Sequence, residues 1–168
     1  GAGITTTFYQ LVINKTSGDL TLGHNTLVSG GAASSLLVLT QGRIVTGANS
    51  FAVGAAGATS TTISGANAAS YIVGNLRRYI PTGTQSGIVF PVGGSTAGKY
   101  APVQIDFPNV TAAGYFQVAA STVDTDHPNI GPSALYSAKP VNQYWSLTHP
   151  RAAPVPGGRA APATSTPP

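Results

Sequence analysis

Cysteine and methionine are absent from this 168-residue chain, and so is glutamate: the whole acidic supply is Asp19, Asp106, Asp124 and Asp126. Without cysteine there is neither a disulfide framework nor a thiolate metal site. With only 7% charged residues, the salt-bridged amphipathic helices of an ordinary enzyme have little to be built from. No apolar run reaches the length of a membrane-spanning helix, and no charged-then-apolar leader opens the chain. A sequence that begins at Gly1 and contains no Met is expected to be a processed product or an internal stretch of a longer polypeptide.

The same scarcity narrows the chemistry. A glycosidase needs two placed carboxylates, and four scattered Asp residues supply no evident pair for the task. A β-helix polysaccharide enzyme fails on the same ground. No Gly-x-Ser-x-Gly elbow is present, and His24, His127 and His149 stand far apart beside turn residues, without carboxylates at ligand spacing. Asp124 and Asp126 share one loop, but two side chains are too few for a calcium cage, so turn capping is the expectation there. The reading is therefore of a protein that is not an enzyme, with no catalytic, cofactor-binding or metal-binding residues and no cofactor.

The net charge is +4 at pH 7, yet Arg151 and Arg159 fall in the terminal tail and only Arg77 and Arg78 are adjacent. A nucleic-acid binder would gather its cations on one face among aromatics, so no nucleic-acid partner is expected. Tyr100, Tyr115, Phe116, Tyr144 and Trp145 could make a sugar-stacking platform, but their alternation within strands points first to core packing. Asn14 and Asn109 sit in Asn-x-Thr acceptor patterns, a weak signal.

What remains is rich in Gly, Ser, Thr, Ala, Val, Ile and Leu, the composition of β-strands joined by tight turns. Short alternating segments are expected at 10–14, 19–22, 26–29, 35–40, 43–46, 50–53, 60–64 and 70–73. Within them GDLTLG at 18–23 aligns with GRIVTG at 42–47, and the same offset of 24 residues pairs Thr16 with Thr40, Asn25 with Asn49, Leu27 with Phe51 and Gly30 with Gly54. A period of this size, made of three short strands and three turns, is what one coil of a β-solenoid requires. Beyond residue 79 the strands lengthen and carry aromatics and prolines, at 87–91, 101–107, 114–121 and 141–148. These are too few for a closed sandwich and leave an open groove. The expected order is thus an all-β chain: an extended segment at 1–7, solenoid coils over 8–79, an incomplete β-sandwich over 80–149, and a Pro/Ala-rich tail at 150–168.

The segments TFYQLVINKT (7–16), GRIVTGAN (42–49), SGANAASYIVGNLRR (64–78), FPVG (90–93) and KPVNQYWSLT (139–148) resemble repeat regions of large secreted surface proteins of Bacteroidetes-type bacteria. The resemblance covers about residues 7–148. It implies an extracellular or cell-surface location by the type IX secretion route and an adhesin-like style, with no defined activity. In that family the Tyr-Trp-x-Leu-Thr strand is followed by further sandwich strands, whereas here Thr148 runs into His149, Pro150 and the tail. Solenoid ends expose strand edges that pair with other chains unless capped. The expected function is therefore a fibre subunit that polymerises with copies of itself by strand complementation, with 1–7 as first candidate donor and the tail as second. The alternative is an adhesin repeat that presents loops or aromatics to surface glycans or other cells.

Overall fold

A computed structural model describes residues 5–30, 36–57, 61–121, 126–132 and 142–149. Every regular element among them is a strand, so the chain is all-β. The strands are β1 (Thr5–Phe8), β2 (Leu11–Asn14), β3 (Leu20–Thr21), β4 (Asn25–Val28), β5 (Leu37–Gln41), β6 (Ile44–Val53), β7 (Ile63–Ser64), β8 (Ile72–Ile80), β9 (Gly83–Phe90), β10 (Val92–Gly93), β11 (Val103–Val110), β12 (Gly114–Ala120) and β13 (Trp145–Thr148). Each short alternating segment read from the sequence overlaps one of the strands β2 to β8, with 43–46 and 50–53 fused into the single strand β6; residues 35 and 60 lie outside the described residues.

Three parallel rows arise because the chain returns to the same place after each circuit. One row stacks Leu11, Leu37 and Ile63; a second stacks Leu20, Ile44, Ile72 and Val92; a third stacks Thr6, Thr26, Phe51 and Leu76. Partners lie between 20 residues (Thr5 to Asn25) and 28 residues (Ile44 to Ile72) apart. Main-chain pairing sets each strand above the last, and alternation along the strand sends every second side chain inward, where it meets its equivalent one circuit away. Leu37, Leu39, Ile44, Phe51, Ile72, Leu76, Val92 and Val118 are fully buried in this way and form one continuous core.

The second half closes onto this stack. β12 lies antiparallel to β8, Val118 beside Leu76, and β13 lies antiparallel to β12, giving an eight-stranded sheet ordered β1-β4-β6-β8-β12-β13 with β3 on β6 and β10 on β8. β9 and β11 form an antiparallel pair that sends Phe90 into the core. The division expected at 79/80 falls inside β8, whose sheet continues from the first half into the second.

The repeat is not uniform. Leu20 faces Ile44 at the offset of 24, but Thr26 faces Phe51 and Val28 faces Val53, so the alignment of Leu27 with Phe51 is one residue out. Between Val45 and Phe51, β6 has one residue more than the β3–β4 segment, and between Val45 and Ser50 three more than β8. An added residue frees backbone groups from the ladder, and asparagines take them up. Ser50 N–H donates to Asn25 Oδ1 (2.9 Å), Asn49 Nδ2 donates to the Leu22 carbonyl (3.0 Å) and Asn75 Nδ2 to the Asn49 carbonyl (3.1 Å). Buried Thr46 completes the join: its hydroxyl accepts from Asn75 N–H (2.9 Å) and reaches the Val73 carbonyl (3.3 Å).

Gly74 makes that approach possible. Its φ is 103°, and a Cβ there would stand 2.2 Å from Thr46 Oγ1. Gly74→Ala is expected to cost at least about 1–3 kcal/mol from backbone strain alone, read as a lower urea midpoint at unchanged slope.

Candidate functional site

The charged groups serve the stack. Arg43 holds Asp19, one circuit earlier, through two bonds of 2.7 and 2.9 Å, and also reaches the Tyr71 hydroxyl and the Ser95 carbonyl. One guanidinium therefore ties its own segment to three others, around Asp19, Tyr71 and Ser95. The bond to Asp19, with help from Tyr71, raises the Arg43 pKa. Asp106 accepts from the Gly87 N–H across β9 and β11. His24 is exposed, His127 packs edge-on against Tyr144 at 4.8 Å, and His149 stands beside the mouth of a cavity described below. Among the described residues no three His, Asp or Glu side chains come together in a way that could hold a metal. Asp124 lies outside the described residues.

Arg78 is a different case. Its position on β8 continues the inward row Phe8, Val28, Val53, so its guanidinium is buried. Among the described residues no carboxylate meets it. Nη1 donates to the Val89 carbonyl and Nη2 to the Thr61 carbonyl, each at 2.6 Å, and the group lies 5.9 Å from the Phe90 ring. Burial pushes its pKa down to about 10, so it stays charged at neutral pH. The unfolded chain binds the proton more tightly, so this penalty, about 3 kcal/mol, is present below pH 10 and is relieved as pH rises above it. Two charge-assisted hydrogen bonds at about 1.5–3 kcal/mol each offset it.

The five aromatics considered as a platform are dispersed. Ring contacts join Tyr100 to Tyr71, Tyr115 to Tyr79, Phe116 to both Phe90 and Phe107, and Tyr144 to His127, while none joins the five to one another. Phe116 packs on the core, and the Trp145 indole N–H is tied to the Ala101 carbonyl at 2.8 Å. Asn14 and Asn109 are both exposed.

The unusual surface lies at the two ends of the large sheet. β1 and β13 are its terminal strands, and all four residues of each are exposed. Beside β1, β2 is a terminal strand of the three-stranded sheet. Of the six exposed large hydrophobic residues among those described, Phe8, Tyr9 and Val12 lie at the first end, Trp145 and Leu147 at the other, and Val89 elsewhere. Between β11 and β12 a groove of about 310 Å³ opens, with Ile80, Phe107, Val110 and Phe116 as its apolar lining and His149 at its side. Thr5–Phe8 already pair in parallel with Asn25–Val28 of their own chain. Residues 1–4 of the candidate donor segment, and the tail, lie outside the described residues.

The chain matches no protein-family model, no characterised protein and no solved structure. Its function must be read from these surfaces.

Arg78 supplies a test of the burial argument. Arg78→Lys keeps a buried charge but cannot bridge two carbonyls, and is expected to cost about 2–3 kcal/mol. Arg78→Met removes the burial penalty along with the bonds and should be the milder change. Urea midpoints of the two variants in the reverse order would refute it.

Proposed function

We propose that this chain is a non-catalytic structural subunit of an extracellular or cell-surface fibre, joined to copies of itself by β-strand complementation at its sheet ends. The parallel rows are then the faces of a short β-solenoid, and β9 to β13 an incomplete sandwich docked on its last coil. One observation carries the reading: among the described residues, Phe8, Trp145 and Leu147 stand exposed on the two terminal strands of one continuous sheet, with exposed Tyr9 and Val12 just after β1, and no described strand covers either outer edge.

An open edge with apolar side chains is a template for another strand. β1 is parallel to β8 while β12 and β13 each reverse direction once, so β13 runs parallel to β1. The β1 edge of one copy meeting the β13 edge of the next would continue the sheet in a sense the fold already uses. Such a contact joins unlike surfaces, so it propagates rather than closing into a dimer. Low charge limits repulsion between copies. The groove beside Phe107 and Phe116 offers a second point of engagement for an apolar segment. The resemblance to type IX secretion cargo of Bacteroidetes-type bacteria accords with such a role and with a surface location.

The second reading is an adhesin repeat within a longer surface protein. It is favoured by the same β1 edge, since a preceding coil of one polypeptide would cover it as well as a neighbouring copy would.

Electron microscopy separates the two. The Phe8 carbonyl points to Ser29 on the β4 side, so by alternation the Thr7 N–H points outward. Thr7→Pro should leave the internal ladder intact and block the outer edge. Filaments are expected from the wild-type protein, with single particles from Thr7→Pro and from Leu147→Lys. Single particles from all three would overturn the fibre and leave the adhesin repeat.

A further inference from the structure

The outward face of the large sheet carries a hollow whose chemistry none of the foregoing uses. In register across β4, β6 and β8 stand Leu27, Ala52 and Arg77. The middle side chain is the smallest, so the row dips between its neighbours. Two positions earlier on the same face come Thr5, Asn25 and Ser50, the last bonded through its N–H to Asn25 Oδ1. The cavity these residues enclose measures about 130 Å³.

Tyr115 forms its wall. Reaching across from β12, it donates its hydroxyl to the Gly54 carbonyl at 2.8 Å, and its ring centre stands 4.7 Å from the Arg77 guanidinium carbon. That contact places the cation against the ring. No carboxylate, carbonyl or hydroxyl among the described residues accepts a hydrogen bond from Arg77, and its Nε is buried without a partner. Arg43 and the two Nη groups of Arg78, by contrast, have their acceptors, although the Arg78 Nε is also buried without one. The Asn25 carbonyl oxygen serves Ser50, while its amide N–H groups meet no acceptor among the described residues.

A fixed guanidinium with unused donors selects a planar or tetrahedral oxyanion. The remaining lining is neutral: an amide donor, the hydroxyls of Thr5 and Ser50, and an apolar floor of Leu27 and Ala52. Sugars present just such hydroxyls on one side and C–H groups on the other. We propose that this hollow binds an acidic saccharide, with its carboxylate or sulfate on Arg77 and its ring hydroxyls on Asn25 and Ser50. The site is independent of the fibre reading, because it lies within one chain and can be assayed whether or not copies assemble.

The test is a nuclear magnetic resonance titration of the isotopically labelled protein with four probes: a hyaluronan hexasaccharide, a chondroitin sulfate hexasaccharide, a neutral chitin hexasaccharide and inorganic sulfate. At least one acidic saccharide should shift the Arg77 Nε–H, Asn25 amide and Tyr115 resonances to saturation. Which of the two does so distinguishes carboxylate from sulfate recognition. The neutral sugar should leave these resonances in place, and sulfate alone should bind at least ten-fold more weakly. Arg77→Gln, and Ala52→Leu, which fills the hollow, should each weaken binding at least ten-fold. Absence of shifts with both acidic probes, equal response to the neutral sugar or to sulfate, or undiminished binding by the folded variants would each overturn the site. The wild-type resonances locate binding even where a variant fails to fold.

Discussion

Everything in this molecule depends on the parallel register that returns each strand to lie on its predecessor about one circuit later. Once Leu20 is set beneath Ile44 and Ile44 beside Ile72, pleating alone decides which side chains enter the core. Hydrogen bonds between circuits then serve as the ladder, and inward Leu, Ile, Val and Phe stack in rows like beads of similar size. The rows are built from long-range pairs, and the side chains they send inward join one hydrophobic core.

A stack of this kind tolerates imperfection only where polar side chains repair it. The extra residue in β6 would leave carbonyls and N–H groups without partners, and Asn25, Asn49, Asn75 and Thr46 provide them. Gln117 extends the series by donating to Asn75 Oδ1 at 3.2 Å, carrying the polar seam onto the antiparallel strand β12. Arg43 and Arg78 act on a larger scale, each binding carbonyls from segments distant in sequence. With so few acidic residues available, backbone oxygens take the place of counter-ions, which explains how a guanidinium can sit in the core.

The same regularity leaves the ends unfinished. A strand inside the sheet has both flanks satisfied, whereas among the described residues β1 and β13 are paired on one flank each, and their exposed aromatic and aliphatic side chains add apolar area to those edges. The fibre proposal grows from this surplus at the ends, and the saccharide proposal from a gap in the middle, where Ala52 interrupts a row of larger neighbours. Both are consequences of one stacking pattern meeting a local exception.

Much of this was legible in residues alone. The absence of Glu and Cys and the abundance of β-branched and turn residues led to an all-β chain, because alternation and turn chemistry are local properties. The one-residue slip at Phe51 was hidden, since an insertion inside a strand changes no composition and shows only in which partner each residue meets. The continuity of the large sheet through β8 into β12 was hidden for the same reason: antiparallel pairing between strands about 40 residues apart leaves no periodic trace. Arg77 and Arg78 are adjacent in sequence, and only the pleat assigns one to the outward hollow and the other to the core. Residue types set which chemistry the chain could hold; the register of the folded sheet decided where each group faces, because facing is a property of pairs of strands and not of either strand alone.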